Sequence, residues 1–244
     1  MLKTVLVKGE GTTSLKNGDN DMRCIIVSAG FVGDLGLFAG MIAPDTRVIC
    51  ADGGAKHVAD LGFVPDVIIG DMDSLKPRLL LAFTRQGSRI KQYPTAKDET
   101  DTALALTEAL ADAPDEIIIL GALGTRFDHA LANVHLLRMA AEKGVQTKII
   151  DPYNEISLIT PRMPGAFKGL PGEVFSLLPL TEEVQGITVT GARWPLEDDS
   201  FYIGLPYGVS NEVLREEVKI SVKSGLLLLI RVREEGDMLC RCGS

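Results

Sequence analysis

The sequence predicts an α/β protein: a doubly wound, mostly parallel sheet domain followed by a small antiparallel β-sandwich domain. Three observations carry this. Between residues 24 and 150, short continuous aliphatic runs alternate with amphipathic segments of helical spacing, the pattern of strands buried on both faces and joined by helical crossovers. After Asp151 the helical spacing stops, and short strand-like runs recur between Pro and Gly residues. Hydrophobic residues make up 45% of the 244 positions, ample for packed cores.

Taken in order, residues 1–21 read as an N-terminal extension, since Gly9 to Asp21 is polar and Met22 opens the first apolar run. Cys24–Ser28 reads as a strand, followed by a Gly-containing loop. Arg47–Ala51 is a second strand, ending in Asp52-Gly53-Gly54. The helix after it carries Ala55, Val58, Ala59 and Leu61 at helical spacing and stops at Gly62. Val67–Ile69 is a third strand. Ser74 is expected to cap the next helix, with Pro77 near its first turn and Leu79 to Phe83 as its apolar body. Arg89–Tyr93 is a fourth strand, Asp98 to Ala111 a helix, Glu116–Leu120 a strand, Asp128 to Lys143 a helix closed by Gly144, and Gln146–Ile150 the last strand of this half. Residues 22–151 thus form one domain. A second, 152–235, holds strands at Ile156–Thr160, Glu173–Leu178, Gly186–Thr190, Val218–Val222 and Leu226–Val232, and 236–244 is a flexible tail.

The bulk properties exclude several classes. A net charge of −8 argues against a nucleic-acid binder with a broad basic face. The longest purely aliphatic run, Leu226 to Ile230, is far too short to cross a bilayer, and the N-terminus lacks the apolar core of a signal peptide. Cys24 and Cys50 fall inside strand-like runs and read as buried thiols, whereas Cys240 and Cys242 sit in the polar tail. So few cysteines make a reducing cytoplasm the default location. An acidic chain that handles phosphate groups needs a metal, helix N-termini or a few placed Arg and Lys side chains.

Neither a G-x-x-x-x-G-K-[ST] loop nor a G-x-G-x-x-G fingerprint is present, so this is neither a P-loop kinase nor an ordinary dinucleotide oxidoreductase. Instead, four polar clusters stand at the carboxyl ends of expected strands. Asp52-Gly53-Gly54 permits close backbone approach to a ligand, although a plain turn with Asp52 as helix cap accounts for it as well. Asp71-Met72-Asp73-Ser74 places two acids in one turn, where they repel unless a cation sits between them. In Lys97-Asp98-Glu99-Thr100-Asp101, a helix starting at Asp98 would put Asp98 and Asp101 on one face; a capping box explains the same residues. Gly121 to His129 joins a glycine loop to Arg126, Asp128 and His129 before a helix. Successive parallel strands present their carboxyl ends on one side of the sheet, so Asp71, Asp73, Asp98, Asp101 and Asp128 are expected to converge with Arg126 beside them.

In this order and spacing, Asp-Gly-Gly, Gly-Asp-Met-Asp-Ser, Lys-Asp-x-Thr-Asp and Gly-x-Arg-Phe-Asp-His resemble the thiamine pyrophosphokinase (thiamine diphosphokinase) family over residues 23 to about 232. Thr190 to Leu196 and Gly208 to Glu212 are similar to that family's thiamine-side segments, while Thr125 departs from the Gly often found before the Arg. The resemblance implies transfer of a pyrophosphoryl group from ATP to the thiamine hydroxyl, giving thiamine diphosphate and AMP. It implies Mg²⁺ held by Asp71 and Asp73, with Asp98 and Asp101 completing the site, and Arg126 on phosphate oxygens. Asp128 and His129 would position the nucleotide or nucleophile. Asp52, Gly53, Ser74, Thr100 and Gly121 would lie along the nucleotide. Trp194 would stack on the thiamine cation, with Ser210 and Asn211 hydrogen-bonding its pyrimidine. A homodimer that shares thiamine between subunits is implied as well.

Three rival readings share fewer features. An Asp-x-Asp turn also serves metal-dependent glycosyltransferases, which need a larger acceptor region than this chain offers. Haloacid-dehalogenase-type phosphatases want Thr or Val where this chain has Leu75. A thiamine-binding protein without catalysis has no use for five acids beside an Arg.

Overall fold

The structure is a computed structural model that describes residues 22–33 and 36–233. The expectations for residues 1–21 and 236–244, Cys240 and Cys242 included, lie outside the described residues. The first half runs β1 (Arg23–Val27), α1 (Gly36–Ala39), β2 (Arg47–Ala51), α2 (Gly54–Asp60), β3 (Val67–Gly70), α3 (Pro77–Arg85), β4 (Arg89–Gln92), α4 (Asp101–Leu110), β5 (Glu116–Leu120), α5 (Phe127–Glu142) and β6 (Gln146–Ile150). The second half is all β among the described residues: β7 (Asn154–Ile159), β8 (Gly165–Lys168), β9 (Val174–Pro179), β10 (Glu183–Thr190), β11 (Leu196–Tyr202), β12 (Asn211–Glu212), β13 (Glu217–Ser221) and β14 (Leu227–Val232).

Two sheets form. The larger has the order β12-β9-β14-β7-β6-β5-β1-β2-β3-β4, and the smaller β11-β10-β13-β8. From β6 to β4 every neighbour is parallel. These strands are buried on both faces, which is why they read as unbroken aliphatic runs such as Cys24-Ile25-Ile26-Val27. Alternate residues feed two cores. Ile26, Ile49, Ile69 and Ile119 meet α4 and α5, while Ile25, Cys50, Ile68 and Leu120 meet the side that carries Val58 of α2 and Phe83 of α3. Each fully buried Ile or Leu contributes about 1.5–3 kcal/mol of transfer free energy.

The direction reverses at Asp151-Pro152-Tyr153, where β7 turns back antiparallel on β6. The Asp151 carboxylate secures the turn by accepting from the Tyr153 and Asn154 amides at 2.9 and 2.5 Å. β14, β9 and β12 continue the same sheet. The small sheet packs on this extension through Val184, Ile187, Val189 and Ile220, against Ile159, Phe175 and Leu229. The sandwich therefore borrows one of its two layers from the sheet that also builds the α/β half.

Two helix starts differ from expectation. Ser74 does not cap α3: the residue before a proline is driven to extended backbone, so Lys76 takes the cap position and the helix begins at Pro77. Asp98 does not begin α4 either. Thr100 is the cap, its hydroxyl accepting from the Ala103 amide at 3.2 Å, and Asp101 is the first helical residue. Asp98 and Asp101 therefore do not share a helix face. β8, β11 and β12 are additional to the strands expected from the sequence.

Candidate active site

The strand order β5-β1-β2 makes β1 the point where successive crossovers leave in opposite directions. The loops after β1 and β5 part there and leave a crevice at the carboxyl edge. A cleft of 780 Å³ occupies it, bounded by Ser28 to Phe31 after β1, Asp52 after β2, Asp71 after β3, Thr95, Lys97, Glu99 and Thr100 before α4, Asp101 at its start, and the Gly121 to Arg126 loop with Asp128 after β5.

The acid cluster follows from sheet geometry. The Asp52 amide donates to Ile69 O at 2.7 Å, which holds the end of β2 against β3. Asp52 adopts a left-handed backbone with φ 39°, is buried, and its Oδ1 has no hydrogen-bond partner among the described residues. At Gly70 a Cβ would lie 2.8 Å from Asp52 Cβ and 3.2 Å from the Asp101 carboxyl carbon, so glycine lets these two acids close over the strand end. Ligand oxygens of Asp52, Asp71 and Asp73 all lie within 4.8 Å of one another. The Asp73 amide and the Thr95 hydroxyl bond to Asp71 and hold its carboxyl below the usual range, so it is ionised at neutral pH. The Ser74 hydroxyl donates to Asp73 Oδ1 at 3.0 Å. Lys97 Nζ sits 2.8 Å from Asp101 Oδ1. An all-oxygen set with an unpaired buried carboxylate oxygen suits a hard divalent cation of the Mg²⁺ kind.

The opposite wall is the glycine loop. Gly121 has φ 63°, and a Cβ there would meet Ser28 O at 2.4 Å. Asn133 Nδ2 donates to Ala122 O at 2.7 Å, and Gly30 donates to Gly121 O at 2.8 Å. Arg126 grips Asp128 with two bonds, Nε to Oδ1 at 3.2 Å and Nη2 to Oδ2 at 2.5 Å. That guanidinium draws the Asp128 carboxyl down to about 2. Asp128 is therefore a poor proton acceptor and a good orienter of Arg126. His129 lies exposed beside them on the cleft wall.

Of the residues singled out from sequence, Asp52, Asp71, Thr100, Asp101, Gly121, Arg126, Asp128 and His129 line the cleft, and Asp73 joins through the carboxylate cluster. Asp98 is exposed and belongs neither to the cleft lining nor to that cluster. Gly53 is buried behind the wall, where a Cβ would meet Ala29 Cβ at 3.1 Å and Ser74 Cβ at 3.3 Å. Sequence reasoning gave Asp52 no place among the metal ligands and gave no role to Ser28 to Phe31, Thr95 or Lys97. Asp52 carried the one available signal, an acid at the carboxyl end of a strand adjoining β3.

On the sandwich, Trp194, Ser210 and Asn211 line a pocket of 390 Å³ together with Phe201, Tyr207 and Val209. The indole is 51% exposed, with the Arg193 guanidinium 5.1 Å from its ring centroid. Asn211 is engaged differently from expectation. Its Oδ1 accepts from the Trp194 and Glu212 amides at 3.2 and 2.8 Å, and its Nδ2 donates to Trp194 O at 2.8 Å. The side chain clamps the Trp194 backbone, and its carbonyl oxygen is already occupied.

The family model described as "Thiamin pyrophosphokinase, catalytic domain" matches residues 38–149, and "Thiamin pyrophosphokinase, vitamin B1 binding domain" matches residues 161–227. A thiamine pyrophosphokinase of Bacillus subtilis is 31% identical over 186 residues, 76% of this chain and 87% of that protein. One from rice, Oryza sativa, is 28% identical over 209 residues, 76% of this chain and 78% of that protein. The crystal structure of the Bacillus subtilis enzyme superposes with a TM-score of 0.79 at 28% identity, covering 87% of this chain and 99% of that one. The two family models between them span most of the chain, one on each side of the turn at Asp151, and this chain belongs to the thiamine pyrophosphokinase family.

Proposed function

We propose that this chain is a thiamine diphosphokinase that moves a pyrophosphoryl group from ATP to thiamine, releasing AMP. The thiamine hydroxyl oxygen attacks the β-phosphorus, the bond from that phosphorus to the oxygen bridging the α-phosphate breaks, and the hydroxyl proton is lost. The observation that carries the reading is the gathering of Asp52, Asp71 and Asp73 within 4.8 Å at a strand edge, with Asp52 Oδ1 buried and unpaired. These three, with Asp101 beside them, would hold Mg²⁺. When bound, that ion neutralises polyphosphate charge and makes the β-phosphorus more electrophilic.

The chain's own groups divide the remaining work. Arg126, oriented by Asp128, offers its outward N–H groups to phosphate oxygens. The backbone of Gly30 and of Gly121 borders the polyphosphate path, where close approach is possible without side chains. Gly53 and Ser74 support that wall from behind, and His129 and Thr100 border the nucleotide. Asp98 acts from outside the carboxylate cluster, through water. Trp194 supplies the face on which a flat cationic ring stacks, and Ser210 lies beside it.

The active unit is a homodimer in which the sandwich pocket of one subunit faces the cleft of the other. Tyr207 at 71% exposure and Val209 at 50%, both lining the pocket with Trp194, support an interface there. The location is the cytoplasm. No described helix is long and apolar enough to cross a membrane, and the partners are ATP and thiamine rather than nucleic acid.

Incubation with ATP, Mg²⁺ and thiamine tests the central claim: thiamine diphosphate and AMP are expected in equal amounts. Formation of ADP, or AMP release that ignores thiamine, would overturn it. Sedimentation should give twice the chain mass, and a monomer that retains full activity would refute the shared site.

A further inference from the structure

Lysines on loops ordinarily extend into water. Lys97, on the loop between β4 and α4, does not: its side chain is only 13% exposed and turns into the cleft to meet Asp101 Oδ1 at 2.8 Å. The loop is tied down around it. Tyr93 donates its amide to Gly70 O at 2.9 Å, and Gln92 Nε2 reaches Asp71 O at 3.4 Å. The Asp101 carboxyl in turn lies against Gly70, next to Asp52. The lysine ammonium therefore stands at the margin of the carboxylate cluster, and its bond to Asp101, with the charges of Asp101, Asp71 and Asp52, holds it above the usual lysine range. Among the described residues Lys97 is the one lysine on the cleft wall, and the other full cation there, Arg126, is paired with Asp128.

This arrangement has two consequences. In the free protein, four acids packed at a strand edge need a counter-charge, and Lys97 supplies part of it. An ammonium that close also repels a divalent cation entering the same cluster. Once a polyphosphate fills the cleft, the balance reverses, because the ammonium then meets an anion. We propose that Lys97 is a catalytic residue of this site, serving as the counter-ion of the carboxylate cluster in the free protein and binding phosphoryl oxygens of the substrate in the complex. The inference rests on the reading of the cleft as a metal–nucleotide site. It adds a device that makes tight metal binding conditional on the nucleotide: without substrate Lys97 weakens the metal's hold, and with substrate it adds to the anion's.

The test uses the full chain and three variants, Lys97→Met, Lys97→Gln and Lys97→Arg. Mn²⁺ binding to nucleotide-free protein is read from the electron paramagnetic resonance signal of free Mn²⁺. Removing a positive charge within a few ångströms should tighten Mn²⁺ binding about fivefold or more in the Met and Gln variants. The same variants should show a raised KM for ATP and a kcat reduced about 100-fold, with KM for thiamine unchanged and partial rescue in Lys97→Arg. A purely structural lysine would weaken Mn²⁺ and ATP binding together, because its loss would loosen the loop. Unchanged or weaker Mn²⁺ binding in Lys97→Met overturns the counter-ion role, and unchanged ATP kinetics overturns the phosphate role. If wild-type protein binds Mn²⁺ but releases no AMP from ATP, the nucleotide reading itself falls and takes the phosphate role with it, while tightened Mn²⁺ binding in Lys97→Met still upholds the counter-ion role.

Discussion

Asn211→Ala gives the sharpest check on how the sandwich pocket is built. The side chain makes three hydrogen bonds, two to the backbone of Trp194 and one to the Glu212 amide, from a buried position. Each is worth about 1 kcal/mol net, and alanine leaves two N–H groups and a carbonyl without partners. Because Trp194 lies partly in water, solvent recovers some of this, and about 2 kcal/mol should be lost. With a urea slope of about 2 kcal/mol/M, the unfolding midpoint should fall by about 1 M. Trp194 is the chain's only tryptophan, so its fluorescence reports on the clamp itself. Emission from the native variant should shift and broaden before global unfolding begins. Asn211→Asp keeps the acceptor and loses the donor, and should fall between wild type and alanine. A midpoint within about 0.2 M of wild type for Asn211→Ala would refute the clamp.

Other predictions follow from single contacts. Asp71→Asn should cut kcat at least about 1,000-fold, because it removes a carboxylate that would hold the Mg²⁺ neutralising the polyphosphate, while the thermal midpoint holds or rises as one like charge leaves the cluster; near-normal turnover would mean that the turn holds no metal. Gly54→Ala should cost about 3 kcal/mol, since its Cβ would lie 1.9 Å from Val27 O. Gly62→Ala meets no atom within 4 Å and should cost only about 1 kcal/mol, from its φ of 74°; equal midpoints in urea for the two variants would refute this contrast. Burial pushes the Cys24 thiol up to about 12 and the Cys50 thiol higher still. Both thiols stay protonated in the native state while the unfolded chain ionises near its ordinary value of about 8.5. The stability this represents is therefore intact below that pH and erodes as pH rises toward the native values. At pH 8, in a Cys240→Ser/Cys242→Ser variant, a disulfide reagent should label neither Cys24 nor Cys50 until urea unfolds the protein, and rapid labelling of that native variant would count against their burial.

The α/β half was legible because its strands are apolar on both faces and its helices follow at regular intervals. Arg47–Ala51, Glu116–Leu120 and Gln146–Ile150 run in the structure as the sequence suggests. The helix starts were less legible, since Ser74 and Asp98 are good caps that lost to the backbone constraint of Pro77 and to Thr100. β11 was hidden for another reason. Its Glu197-Asp198-Asp199 run faces water on an edge strand, and acids there block further pairing rather than signal a strand. The site was readable as a set of acids at strand ends, but which of them meet depends on strand order. Nothing in the sequence says that β2 lies beside β3, the pairing that carries Asp52 into the cluster and leaves Asp98 outside it.

The unbroken sheet across Asp151 also limits how this molecule can move. A hinge between the halves would have to peel β7 from β6, where Lys148, Ile149 and Ile150 pair with Ser157, Ile156 and Glu155. It would also split a core in which Ile156, Leu158 and Leu228 of the β half share contacts with Leu137 and Ile149 of the α/β half. Clamshell closure within one chain would have to break both that pairing and that core. The same continuity makes the halves inseparable as modules. A fragment cut at Asp151 would end in a bare strand, β6, with its hydrogen-bonding edge exposed, and it should associate with other copies of itself rather than persist as a free catalytic domain.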